Sequence, residues 1–345
     1  MEKNILISVV IPVYNRRNYI VAAIQSILNQ TYQHFELIII NDGSTDDSLS
    51  IIQSFKDDRI RIINNTKNKG VAAVGNQGIL AAKGKYLARL DSDDIALPTR
   101  LETQLAFLEK YPDIAILGTQ ALIFNTNKIF KRQLNVPMQP SILPIYSLFH
   151  CPFIQPSILV RTDIIKEFYY DEDFESAEDY ELWTRILRKY KGGNLSETLV
   201  KYRMHDTNFS KIQNEKQLES IRRIYQRNLE YIRMPYSQED LEVYLKASGS
   251  YQQQLTIDEL QKVKGWLVKM QNHLLTQENF DSKEVREVFG IVWFELFRKS
   301  SYLGVRGLKM YFFQSNFKGH SLIKSFSLIA KYTLASPLFN FKLPQ

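Results

Sequence analysis

The chain has 345 residues, 44% of them hydrophobic and 23% charged, a formal net charge of +7 and one cysteine, Cys151. Length and balance allow one large globular domain with an appended one, and exclude a disordered or fibrous chain. No apolar run reaches the roughly 18 residues of a membrane-spanning helix, and a lone cysteine excludes an intrachain disulfide and fits a reducing cytosol.

The first apolar run, Ile5 to Val13, leads straight into Tyr14-Asn15-Arg16-Arg17 with no small-residue cleavage site close behind it. It therefore reads as a buried strand over Ile7–Val13 rather than a leader peptide. Asn18–Asn29 carries Ile20, Ala23, Ile24, Ile27 and Leu28 at helical spacing. A strand is expected over Phe35–Ile40, a helix over Asp47–Phe55, and a strand over Arg59–Ile63. A helix is expected over Gly70–Ala82, with Gly84 as its C-terminal stop, and a strand over Lys85–Leu90. Further on, strands are expected at Ile114–Leu117, Ser157–Val160 and Leu199–Arg203, and a helix at Glu178–Lys189. From about Glu215 the composition shifts towards long helices. The alternation implies an α/β domain with a mostly parallel sheet flanked by helices, followed by a helical C-terminal extension.

In such sheets ligands bind beyond the carboxyl ends of the strands. Polar residues cluster at those ends: Tyr14-Asn15, Asn41-Asp42-Gly43-Ser44, Asn64-Asn65 and Asp91-Ser92-Asp93-Asp94. Asp91 and Asp93 are one residue apart, so an extended backbone presents both carboxylates on one side. Two hard oxygen donors suit Mg²⁺ or Mn²⁺, which keep several waters and bridge to substrate phosphates. An isolated D-x-D is more often a solvated acidic turn; its place at the end of a predicted strand, after three other polar strand ends, favours the cation. Neither a G-x-G-x-x-G nor a G-x-x-x-x-G-K-[ST] motif is present. Gly70, Gly75 and Gly78 serve equally well for close helix packing or, at Gly70, for backbone amides that approach a phosphate.

Taken together, Ser8-Val-Val-Ile-Pro-Val-Tyr-Asn15, Asn41-Asp-Gly-Ser-Thr-Asp46, Asn68-Lys-Gly70 and Asp91-Ser-Asp-Asp94 resemble the family 2 glycosyltransferases of the GT-A fold, over about residues 5 to 210. The resemblance implies an inverting transferase that uses a nucleoside-diphosphate sugar, often a UDP-sugar, and a glycan or lipid-linked hydroxyl acceptor. It implies that Pro12, Tyr14 and Asn15 line the nucleotide pocket and that Asp42 bonds the base. Asp91, Ser92 and Asp93 would meet the donor, with Asp91 and Asp93 in the metal shell. Two alternatives share the layout: a nucleotide-sugar-binding protein without catalysis, and a sugar nucleotidyltransferase.

Glu178-Asp179-Tyr-Glu-Leu-Trp183 resembles the family's E-D motif, which implies that Asp179 is the base that deprotonates the acceptor. Read locally, Ser176-x-x-Asp179 is also a capping box before an apolar helical face. Trp183 and Tyr180 could stack on a sugar, though on an amphipathic helix they are more often core. Tyr202-Arg-Met-His205, followed by Asn208 and Ser210, resembles the family's Y-R-x-H block. It makes His205 a candidate third metal ligand and Arg203 a candidate phosphate partner. Gln155 stands where the family often carries His, so it is a candidate determinant of acceptor specificity.

Leu296 to Gln345 holds eight Lys or Arg and no Asp or Glu, interleaved with Phe, Tyr and Leu. That pattern suits either an anionic membrane surface or a basic rim on a packed helical unit; no nucleic-acid motif accompanies it. The expected organisation is a donor-binding half over residues 1–100, an acceptor and catalytic half over 101–214, and the extension over 215–345. The expected location is the cytoplasm, with attachment to the inner membrane face.

Overall fold

The computed structural model describes residues 6–125, 129–174, 176–204, 215–248, 254–300 and 303. They form two compact units. One comprises the chain up to Ser147 together with Cys151–Ser220; the other comprises Leu148–His150 together with the chain from Ile221 onward.

The first unit opens with β1 (Ile7–Val13), α1 (Ile20–Leu28), β2 (Phe35–Asp42), α2 (Ser48–Ser54), β3 (Ile60–Asn65), α3 (Val71–Ala81) and β4 (Tyr86–Arg89). β5 (Ile95–Ala96), α4 (Arg100–Lys110), β6 (Ile114–Phe124) and β7 (Ile129–Leu134) follow. α5 (Leu143–Tyr146), β8 (Leu159–Arg161), α6 (Thr162–Phe168), α7 (Glu178–Leu187) and β9 (Lys191–Arg203) complete it. Among the described residues, nine strands join one sheet in the order β3-β2-β1-β4-β8-β6-β9-β5, with β7 on β6. Most paired residues are parallel. Val13 lies beside Asn41, Asp42 beside Asn65, and Val10 beside Arg89, so β1 to β4 all end at one edge. β8 runs antiparallel to β4 and β6, while β9 runs parallel to β6.

Alternation along the strands sorts side chains into two cores. Ile7, Val9, Ile11, Leu37 and Ile39 pack with Ile20, Ile24 and Ile27 of α1 and Leu101, Leu105 and Leu108 of α4. Val10, Ile38 and Ile40 face the other way, towards Val74 and Ile79 of α3 and Leu182, Trp183 and Ile186 of α7. Each fully buried Ile or Leu contributes on the order of 1.5–3 kcal/mol, so the parallel half is a rigid mount for its strand ends. Pro12 sits in β1 without harm because pairing with β4 stops at Val10 and Arg89.

Several expectations are corrected. β2 runs two residues further than expected and carries Asn41 and Asp42 in the sheet itself. β6 and β9 are far longer than expected, and α4 and α6 were not expected at all. Gly84 does not stop α3, whose C-cap is Ala82. It lies against β1 instead, where a Cβ would come within 2.6 Å of Leu6 O and Ser8 N. Gly84 N donates to Ser8 Oγ at 2.8 Å.

The second unit is helical: α8 (Glu215–Tyr231), whose first residues lie in the first unit, then α9 (Gln238–Ala247), α10 (Ile257–Leu275) and α11 (Ser282–Lys299). Ser237 with Asp240, and Thr256 with Glu259, form reciprocal capping boxes, and Asp281 caps α11. Tyr225 stacks on Tyr244 at 4.4 Å, and Phe149 meets Phe289 edge-on at 5.2 Å. Among the described residues no helix is long and apolar enough to cross a membrane. The basic tail beyond Ser300, apart from Leu303, lies outside the described residues, as do His205, Asn208 and Ser210.

Candidate functional site

The shared carboxyl edge of β1, β2 and β4 carries most of the expected site residues. The loop after β1 puts Tyr14 in solvent, 44% exposed. Asn15 follows with φ +53, a left-handed conformation that Asn tolerates better than most residues. Its Oδ1 accepts from Thr45 N at 2.8 Å, and its own N–H donates to Ser44 Oγ at 3.0 Å. Asn15 thus ties the β1 loop to the β2 loop through its backbone N–H and its side-chain oxygen.

Asp42 is buried, and both its oxygens are occupied. Oδ1 accepts from Lys69 N at 2.9 Å and Asn65 Nδ2 at 3.1 Å, and Oδ2 accepts from Gly70 N at 3.1 Å. Asp42 therefore folds the 67–70 loop onto the strand end, and the Gly70 amide is already engaged by it and by Asn68 Oδ1 at 3.1 Å. Gly70 has φ +90, and Gly43, next to Asp42, has φ +68. A Cβ on Gly43 would lie 2.6 Å from the Lys67 carbonyl carbon and 2.8 Å from Asn68 N. Positive φ costs a side chain about 1–3 kcal/mol, and here rigid backbone blocks the Cβ as well. Gly43→Ala is therefore expected to lower unfolding stability by at least about 2 kcal/mol in urea titration. An unchanged midpoint would contradict this packing.

Beyond β4, Asp94 N closes a turn onto Asp91 O at 3.1 Å, which gathers three carboxylates over four residues. Ser92 is buried inside this turn. Arg89 donates through Nε to Asp91 Oδ1 at 3.2 Å, and Arg16 Nε lies 3.5 Å from Asp93 Oδ2. Burial, and then the Asp93 charge against the relief from Arg89, leave the Asp91 carboxyl above its usual range. Burial, Asp93 and Asp91 hold Asp94 higher still. Asp94 Oδ1 accepts from Arg203 N at 2.7 Å, while the buried Oδ2 has no hydrogen-bond partner. A crowded acidic turn with an orphaned buried oxygen fits a divalent cation, for which Asp91 and Asp93 are the partly exposed hard donors. Among the described residues no three His, Cys, Asp or Glu side chains form a complete metal cage. Two carboxylates with water and a diphosphate suffice for Mg²⁺ or Mn²⁺.

Arg203 donates through Nε to Asp93 O at 2.7 Å and stacks over Phe124 at 4.3 Å and Tyr19 at 4.9 Å. It clasps the end of β9 to the acidic turn. Below the turn, the fully buried Arg100 donates to Arg89 O at 2.8 Å and Ile158 O at 3.0 Å, and burial pulls its pKa down to about 9.

α7 brings the remaining acids. Its N-cap is Ala177, without a side-chain cap bond; Ser176 has φ +65, and its buried Oγ has no partner. The capping-box reading of Ser176 and Asp179 therefore does not hold. Asp179 is half-buried and accepts from Tyr180 N at 2.7 Å. Burial pushes its carboxyl up to about 6, with Asp91 adding to the rise and Arg89 opposing it. Burial and the Asp179 charge push Glu178 higher, to about 8. The Asp91 charge thus reaches both Glu178 and Asp179, and the Arg89 charge opposes it at each. Tyr180 and Trp183 are buried core residues, and Tyr180 donates to Ser147 O at 2.9 Å.

Arg16, Arg89, Asp94 and Glu178 were not singled out as site residues from sequence. An arginine near the end of a strand expected to be buried, Lys85–Leu90, was the available signal for Arg89.

Comparison with known proteins points one way. Residues 8–168 match the glycosyl transferase family 2. The O-antigen biosynthesis glycosyltransferase WbnJ of Escherichia coli is 36% identical over 60% of this chain and 82% of its own length. The fold is shared with S. aureus TarS 1–349 in complex with UDP-GlcNAc, at TM-score 0.55 and 17% identity, over 88% of this chain and 89% of that one. It is shared equally with the mannosyltransferase PcManGT from Pyrobaculum calidifontis in complex with GDP-Man and Mn²⁺. There the TM-score is 0.54 and the identity 13%, over 96% of this chain and 86% of that one.

Proposed function

The chain belongs to glycosyl transferase family 2, and from that premise we propose that it is an inverting, metal-dependent transferase. It moves a sugar from a nucleoside diphosphate, in our reading UDP, to a hydroxyl of a growing surface polysaccharide. The observation that carries this reading is the acidic turn at the carboxyl edge of the parallel sheet: Asp91, Asp93 and Asp94 are gathered over four residues just beyond β4, and Asp91 also raises the pKa of Glu178 and Asp179 on α7. Residues 1–100 hold the donor, 101–214 the acceptor and base, and 215–345 form the extension.

Tyr14 offers an exposed ring for the nucleobase at the mouth of the β1 loop, beside the loop that Asp42 folds. Asp91 and Asp93 hold Mg²⁺ or Mn²⁺, which supplies Lewis-acid stabilisation of the departing diphosphate when bound. Arg16 lies beside Asp93 and adds a second positive charge on the phosphate side. Asp179 takes the proton of the acceptor hydroxyl as its oxygen bonds to the anomeric carbon, and the carbon–phosphate-oxygen bond breaks with its electron pair on the leaving diphosphate. Attack from the face opposite the diphosphate inverts the anomeric centre. UDP-GlcNAc is bound by a structural relative and Mn²⁺ by another, which supports the donor class and the cation.

The test is slow hydrolysis of UDP-sugars and GDP-mannose with Mn²⁺, water replacing the acceptor. Release of the nucleoside diphosphate supports the reading. Release of the nucleoside monophosphate with sugar 1-phosphate, as water attack at the nucleotide phosphorus by a nucleotidyltransferase would give, overturns it.

Asp179 must be ionised to act as a base, and an acid whose pKa is raised loses its charge at a higher pH. With the carboxyl pushed up to about 6, kcat/KM is expected to fall about tenfold per unit below pH 6 and to level off above it. An acid limb near pH 4 would contradict the assignment.

The basic tail suggests attachment to an anionic membrane, each Lys or Arg adding about 1 kcal/mol at most near the surface. Flotation with phosphatidylserine vesicles at low salt is expected, with release at high salt. Absence of binding at low salt would count against it.

A further inference from the structure

Gln155 is the sequence's candidate determinant of acceptor specificity. Its amide is instead engaged at both ends: Trp183 Nε1 donates to Gln155 Oε1 at 3.0 Å, and Gln155 Nε2 donates to Tyr170 Oη at 2.9 Å. The orientation is forced, because an indole N–H can only donate. Tyr170 is buried and fastened to α3 by its backbone: Tyr170 N donates to Asn76 Oδ1 at 2.8 Å, and Asn76 Nδ2 donates to Tyr170 O at 3.0 Å. Its ring lies directly on Gly75, where a Cβ would be 2.6 Å from the ring edge. The Tyr170 and Trp183 rings also meet edge-on at 6.2 Å. A continuous path thus runs from α3, whose first turn begins at the loop held by Asp42, through Tyr170 and Gln155 to Trp183, one helical turn beyond Asp179.

We propose that Tyr170 and Gln155 are positioning residues that lock the helix bearing Asp179 to the helix that starts at the donor loop, so that the base meets the donor in register. This rests on the reading of Asp179 as the base. Burial keeps the Tyr170 hydroxyl protonated, with its pKa pushed up to about 12, so after accepting from Gln155 it still has a proton to donate. The phenol feels the charges of Arg89, Glu178 and Asp179, which puts the link beside the reacting groups.

Tyr170→Phe removes the hydroxyl and keeps the ring. Gln155→Met removes both amide ends at similar volume. Gln155→His keeps one acceptor and one donor, and Gly75→Ala presses on the ring from the other side. Each is made in the full chain. Donor hydrolysis is measured with UDP-glucose, UDP-GlcNAc and GDP-mannose, UDP affinity with Mn²⁺ by calorimetry, and amide exchange by mass spectrometry over residues 177–183. Tyr170→Phe, Gln155→Met and Gly75→Ala are each expected to lower kcat about tenfold, as a small misplacement of a reacting group does. UDP affinity should stay within about twofold. The double variant Tyr170→Phe with Gln155→Met should lose about tenfold rather than a hundredfold, because both act through one link. Gln155→His should stay within about threefold of wild type. Exchange at 177–183 should quicken in Gln155→Met and Tyr170→Phe and not in Gln155→His. Multiplicative losses, or a loss of UDP affinity in place of kcat, would overturn the proposal. If wild type turns over none of the three donors, the transferase reading is what suffers. Exchange then decides the positioning alone, and unchanged exchange in Gln155→Met refutes it.

Discussion

Asp179→Asn is expected to lower kcat by about 10²–10⁴-fold, the range for losing a positioned general base, while UDP affinity with Mn²⁺ stays within about twofold. The fold gives little reason for another outcome. Ala177, not Ser176, begins α7, and it receives no side-chain cap bond, so Asp179 does not belong to a capping box. It accepts from the adjacent Tyr180 N at 2.7 Å, a bond that an amide oxygen can also accept. Removing a negative charge from a helix N-terminus costs about 0.3–1 kcal/mol. Burial has already pushed this carboxyl towards its neutral form, so a neutral amide of the same shape is at least as well tolerated. Thermal unfolding of the variant should therefore match wild type. A parallel loss of rate and stability would return Asp179 to a structural role. Turnover within a few-fold of wild type would remove it from the chemistry.

Asp93→Asn is expected to cost about 10²–10³-fold in turnover, comparable to the loss of a main charge-stabilising contact at a leaving group. It should also abolish the gain in UDP affinity that Mn²⁺ provides. The reason lies in the crowding of the acidic turn. Asp91, Asp93 and Asp94 share four residues; burial and their mutual repulsion hold Asp91 above and Asp94 well above the usual carboxylate range, and positive charge is what relieves them. Arg16 and Arg89 supply part of it. The Arg16 contact is partly exposed, and such pairs contribute about 0–1 kcal/mol to stability, so the variant should fold as wild type does. Full activity in Asp93→Asn, or activity that chelation leaves untouched, would contradict the cation's place between these carboxylates.

The parallel half was legible because parallel strands covered on both faces are short apolar runs; Ile7–Val13 and Phe35–Ile40 could hardly be anything else. The strand-end rule then located Asp42, Asp91 and Asp93 on one edge. The second half was harder to read for identifiable reasons. In α4 the apolar stripe of Leu101, Leu105 and Leu108 is interrupted on its buried face by Arg100 and Gln104. Gln104 spends its amide on Leu117 O and Ser157 O. β6 and β9 continue through polar residues because partners elsewhere satisfy them, as Leu195 O does Gln120 Nε2 at 2.8 Å. What Asp42 and Gln155 bond to was equally out of reach, since those contacts join residues far apart in the chain. The resemblance supplied Asp179; local spacing alone favoured a cap, and the positive φ of Ser176 is what removes that reading.

The central claim is that carboxylates from separate strand ends and from α7 share one cleft for a metal-bound nucleotide. Calorimetric titration of UDP into the full chain, with and without Mn²⁺, tests it most directly when repeated on Asp93→Asn. Binding that tightens at least tenfold with Mn²⁺ in wild type, and does not respond to Mn²⁺ in the variant, is the expected result. Equal binding with and without the cation in both proteins, or no binding in either, would contradict it.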